Sequence, residues 1–109
     1  MKVIHKLTIN KPGRLVLDLP IHAPKALSCG VSRGEVCVWY EREDMELRYL
    51  SLGDTESSAL KTQVEILTVM TGELFELPPG FKFLGTVDFD GIIIHIYTKG
   101  FARVSDNNQ

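Results

Sequence analysis

The dipeptide Asp90-Gly91 stands between two alternating apolar runs, and no other feature of the chain constrains its fold as much. Asp-Gly is a favoured pair for the type I′ turn, which needs left-handed backbone at both central positions and joins two antiparallel strands. Such a turn brings segment 81–87 against 92–97, with Val87 opposite Ile94 and Phe89 opposite Ile92. Strand side chains alternate between faces, so Phe81, Phe83, Val87, Ile92, Ile94 and Ile96 are expected to share a core face. Leu84, Thr86, Ile93, His95 and Tyr97 then take the other face. That face is semi-apolar and calls for cover from a second sheet, a loop or a partner chain.

The same alternation runs through most of the chain. Val3, His5, Leu7 and Ile9 alternate with polar residues, and after the turn Asn10-Lys11-Pro12-Gly13 so do Leu15, Leu17 and Leu19. These two strands are expected to pair as a hairpin. Pro20 and Pro24 bracket an extended connector. Segments 25–32 and 35–42 form a further hairpin around Arg33-Gly34, whose second strand, Val36-Cys37-Val38-Trp39-Tyr40, has the β-branched and aromatic content of a central strand. Met45, Leu47 and Tyr49 alternate in another strand, and residues 53–58 read as a loop. Leu60, Val64 and Leu67 would line a helix face, whereas Val64, Ile66 and Thr68 would line a strand face. The β-branched content of 62–71 favours strand for at least the second half. Pro78-Pro79-Gly80 turns the chain, and 105–109 is a polar tail behind a single domain spanning 1–104. About seven short strands with closely spaced turn signals imply an all-β fold. A small antiparallel β-sandwich or partly open barrel, with at most one short helix, is expected.

With 109 residues, 44 % of them hydrophobic, the chain has ordinary globular composition. No apolar run approaches the roughly 18 residues of a membrane span, and Met1-Lys2-Val3-Ile4-His5-Lys6 is not a secretory leader. A cytoplasmic protein without a membrane partner is expected. The net charge of −2 gives no overall pull toward nucleic acid. Residues 1–34 nevertheless carry six basic residues against one acid, and 35–80 carry ten acids against three bases.

The two cysteines, Cys29 and Cys37, are too few for a disulfide scaffold or a zinc site. With Arg33-Gly34 as a two-residue loop, Cys29 lies opposite Val38 and Cys37 opposite Gly30, on different sheet faces, so they cannot bond. A loop one residue longer would instead set them opposite each other. His5, His22 and His95 lack metal-ligand spacing. Ser28-Cys29-Gly30 lacks a nucleophile elbow and an assignable histidine–acid pair. Glu41, Glu43, Asp44 and Glu46 read as a solvated edge. The residues therefore point away from an enzyme, and no metal or cofactor is expected. Trp39, Tyr40, Tyr49 and Tyr97 are candidate binding residues, because aromatics with a polar handle are enriched at interfaces. His95 and Arg33 complete the candidate set. Against this, Trp39 would serve as core packing, and His95 as a cross-strand partner of Thr86.

Two stretches resemble a family of small phage and prophage proteins. They are Asp18-Leu19-Pro20 through Leu27-Ser28-Cys29-Gly30-Val31 and Gly34-Glu35-Val36-Cys37-Val38-Trp39, and the closing Phe83-Leu84-Gly85-Thr86-Val87 with Asp90-Gly91-Ile92-Ile93-Ile94-His95-Ile96-Tyr97. The family brings no activity with it. The resemblance implies a bacteriophage origin and residence in the cytoplasm of an infected bacterium. By analogy of size and origin, the expected function is an accessory protein that binds a host factor and antagonises antiviral defence. Two other readings are an oligomeric sponge that holds a nucleotide signal through Lys11, Arg14 or Arg33, and a structural or assembly protein of the virion. A homo-oligomer through the Leu84/Ile93/Tyr97 face or an adjacent strand edge is a further expectation.

Overall fold

The computed structural model describes residues 1–19, 23–43 and 62–101. They form seven strands and no helix. The strands are β1 (Lys2–Ile9), β2 (Gly13–Leu19), β3 (Lys25–Ser32), β4 (Glu35–Glu43), β5 (Thr62–Met70), β6 (Lys82–Phe89) and β7 (Ile92–Lys99). One antiparallel sheet has the order β1-β4-β3, and the other β2-β5-β7-β6. The sheets pack as a sandwich without closing into a barrel, with edge strands β3 and β6 lying against each other. The all-β expectation is borne out, and 62–70 is strand throughout. The strand read at Met45, Leu47 and Tyr49, the loop 53–58 and the tail 105–109 lie outside the described residues.

Both two-residue hairpins are as the turn chemistry requires. Arg33 and Gly34 have φ of 53° and 77°, and Asp90 and Gly91 have 55° and 87°, the left-handed pair of a type I′ turn. The registers follow, with Cys29 opposite Val38, Gly30 opposite Cys37, Val87 opposite Ile94 and Phe89 opposite Ile92. Both cysteines are free.

The hairpin expected from the first two strands does not form. β1 pairs with β4 and β2 with β5, so residues 10–12 carry the chain from one sheet to the other. The apolar runs of β4 and β5 make better partners for the flanking strands, and the corner lets Leu7 and Ile9 face Leu15 and Leu17 across the core. Thr68 anchors this corner from β5: its Oγ1 accepts the Gly13 N–H at 2.8 Å.

The core is centred on Ile9, Val36, Val38, Ile66, Val87 and Ile96. A second cluster joins Leu19, Tyr40 and Val64. One correction concerns the closing hairpin. The register slips between Phe83 and Gly85, and the bulge at Leu84 reverses the faces of Phe81, Phe83 and Leu84, while Thr86, Val87 and the residues of β7 keep theirs. Leu84 turns into the core, while Phe83 is turned out to 58 % exposure. Phe81, of the same parity as Phe83, is buried at 7 % but packs outside the core, between Arg14 and Lys99. Gly85 lies where the two sheet edges close, and a Cβ there would stand 2.8 Å from Cys29 Sγ.

Candidate functional site

The outer face of the four-stranded sheet carries the residues best suited to recognition. Alternation sends Arg14 and Val16 from β2, Glu65, Leu67 and Val69 from β5, and Ile93, His95, Tyr97 and Lys99 from β7 to this side. Phe83, Thr86 and Asp88 join them from β6. Connection 71–81 runs back as a strap over this face, which explains why Val69 is 3 % exposed although it belongs to neither core cluster.

Three sets of contacts hold the strap. At its start, the Thr71 N–H donates to the Ile93 carbonyl at 3.1 Å, and the Thr71 hydroxyl lies 2.8 Å from His95 Nε2. In its middle, the Phe75 ring tilts against Tyr97 with centroids 5.8 Å apart. At its end, Phe81 sits between two cations, with the Arg14 guanidinium 5.4 Å and the Lys99 ammonium 5.8 Å from the ring centroid. Glu65, buried beneath, accepts from Arg14 Nε at 2.7 Å and lies 3.8 Å from Lys99 Nζ. A buried carboxylate is tolerated when paired, and here β2 and β7 supply one cation on each side of β5.

The outcome is an aromatic ridge. Phe83 meets the other edge of Tyr97 in an edge-on contact at 5.4 Å, so Tyr97 is flanked by Phe75 and Phe83. Phe75 keeps 45 % of its surface exposed and Phe83 keeps 58 %. Beside the ridge, Met70, Thr71, Glu73, Gly91, Ile92 and Ile93 line an open cleft of about 420 Å³.

Tyr49 lies outside the described residues, and the other five candidate binding residues do not come together. His95 and Tyr97 share the outer face of β7. Both His95 ring nitrogens are bonded to threonine hydroxyls, Nδ1 to Thr86 at 2.9 Å and Nε2 to Thr71, which makes the residue a fastener of the strap. Trp39 and Tyr40 point to opposite faces of β4. Trp39 is half-buried outside the core, opposite Lys6, and its ring covers Gly30, where a Cβ would meet it at 3.1 Å. Tyr40 is buried between the sheets, stacked on His5 at 5.4 Å and tilted against Phe101. Arg33 lies exposed in the β3–β4 turn. Of the three basic residues considered for a nucleotide, Arg14 is engaged by Glu65. Phe75 and Phe83 escaped the sequence reading. The first lies in a stretch without periodicity and the second was placed by uninterrupted alternation in the core. The signal that could have found Phe83 is Gly85, since a glycine inside a strand often marks a bulge.

Burial pushes the Cys29 thiol up. Among the described residues no group of three or more His, Cys, Asp or Glu is placed to hold a metal ion. Nor is any helix there long and apolar enough to cross a membrane. No curated protein and no solved structure matches the chain. Residues 1–105 match the family described as Domain of unknown function (DUF7352), and the chain belongs to it.

Proposed function

We propose that this chain is a non-enzymatic binding protein of bacteriophage origin. It engages a host protein in the cytoplasm of an infected bacterium and thereby antagonises antiviral defence. The observation that carries the binding reading is the ridge Phe75–Tyr97–Phe83, whose two outer rings stay about half exposed on a strapped, rigid sheet face. Large aromatic side chains held in one geometry lose little entropy on binding and dominate interface energetics. The phage origin draws on the resemblance of the two hairpins, and the defence role on size and origin.

Affinity capture from a bacterial lysate with the wild type and with Phe83→Ser tests the reading. Phe83 is the more exposed of the two outer rings of the ridge and does not belong to either core cluster, so its replacement leaves the sandwich intact. A partner retained by the wild type, lost by Phe83→Ser and rebound in purified form is the expected result. Identical capture by both proteins would refute it. Release of a nucleotide on denaturation, read by mass spectrometry, would instead favour the sponge.

A further inference from the structure

The cleft beside the ridge has a definite chemical character. Met70, Ile92 and Ile93 line it while remaining 46 %, 47 % and 38 % exposed. Its walls are fixed by hydrogen bonds from backbone N–H groups, one to a carbonyl and two to carboxylates. The Glu73 N–H donates to the Met70 carbonyl at 3.0 Å, the Met70 N–H to Glu73 Oε1 at 2.9 Å, and the Gly91 N–H to Asp88 Oδ1 at 2.9 Å. The volume of about 420 Å³ falls in the range of about 300–1,000 Å³ typical of ligand pockets. Among the described lining residues Glu73 alone is charged, and the turn beside it adds Asp88 and Asp90 on either side of Phe89.

We infer that this cleft receives an apolar side chain flanked by lysine or arginine on an extended segment of the partner protein. The inference rests on the binding reading and names the partner's chemistry. The apolar side chain enters between Met70, Ile92 and Ile93, where the unbranched methionine adapts to its shape. The flanking cations meet Glu73, Asp88 and Asp90 at the rim, where charge complementarity selects the partner and steers its approach. A second copy of this chain is the competing occupant, because Ile4, 61 % exposed on edge strand β1, lies between Lys2 and Lys6, and the titration below separates the two.

The test is an amide NMR titration of the full chain with capped Lys-Leu-Lys, Lys-Gly-Lys and Glu-Leu-Glu tripeptides. Only Lys-Leu-Lys is expected to shift residues 70–73 and 91–93 saturably. Glu73→Gln keeps a side-chain carbonyl for the Met70 N–H, so it removes the charge without removing the bond. It should weaken binding about fivefold, the scale of one rim ion pair. Equal shifts from Glu-Leu-Glu or Lys-Gly-Lys, no shift at the cleft, or unchanged affinity in Glu73→Gln would each overturn the inference. Shifts of the cleft amides with protein concentration alone would assign it to a second copy and overturn it too. The Phe83→Ser capture experiment is independent. Partner loss there without tripeptide binding discards the cleft alone, and tripeptide binding without partner loss discards the ridge alone.

Discussion

Gly100 follows β7 with φ at 93°, and a Cβ there would collide with the Gln63 carbonyl oxygen and stand 3.0 Å from Val64 Cα. Both obstacles are backbone and cannot swing away. Gly100→Ala combines left-handed strain with displacement of β5, and a loss of about 2–4 kcal/mol is expected in a denaturant titration. A change below about 0.5 kcal/mol, the scatter of surface substitutions, would show that the backbone yields there. Tyr40 leads to a pH prediction. Burial holds its phenol above the usual 10.0, with the Arg42 charge pulling the other way. The unfolded chain releases this proton near its ordinary value while the folded chain retains it, so the stability is full below pH 10.0 and lost as pH rises above it. Cys29 acts in the same sense from its usual 9.0 upward. The thermal midpoint is expected to fall from pH 9.0 upward, and Tyr40→Phe should flatten the upper part of that fall. An identical slope in the variant would assign the loss to another group.

At the scale of elements, the strap 71–81 is the least regular piece of the described chain, yet it shields Val69 and Glu65 almost completely. Its end depends on Phe81, which is 7 % exposed and contacts both cations that pair with Glu65. Phe81→Ala removes the ring and opens the buried carboxylate to water, and a destabilisation of about 3 kcal/mol is expected. Hydrogen exchange should then speed up at residues 71–81 before it does in β4 or the core of β7. Uniform acceleration across both sheets would mean that the strap and sandwich unfold as one unit. The bulge at Leu84 shows how one inserted residue redistributes function. It sends Leu84 inward and places Phe83 beside Tyr97, and without it there would be no ridge.

For the whole molecule, the question is what covers the second face of the larger sheet. The semi-apolar face of the last hairpin motivated a homo-oligomer, but the bulge takes Leu84 away from that face and the strap covers much of the remainder. What stays exposed there includes the ridge, the cleft and Val16, and the ridge and the cleft are the surfaces proposed for a host partner. Light scattering over a range of micromolar concentrations is expected to give the monomer mass. A mass that grows with concentration and reverts in Ile93→Lys would establish self-association through this surface instead.

Local chemistry by itself determined the all-β class, the type I′ turn at Asp90-Gly91 and the register next to it, and, once Arg33-Gly34 is a two-residue loop, the separation of the cysteines. Each depends on residues a few positions apart, where turn geometry and period-two alternation leave one solution at Asp90-Gly91 and two at Arg33-Gly34, of which the structure takes the two-residue loop. The His95–Thr86 bond was legible for the same reason, since the register sets the two side chains opposite each other. Tertiary structure alone decided that β1 and β2 separate into different sheets, because that choice weighs long-range partners such as Val38 and Ile66 against a local turn. It also decided the bulge, which arises where Gly85 must pass Cys29 of the other sheet. The path of the strap belongs there too: residues 71–81 have no periodicity, and their position follows from Glu65, Arg14, Lys99 and Tyr97, which only the folded sheet brings together.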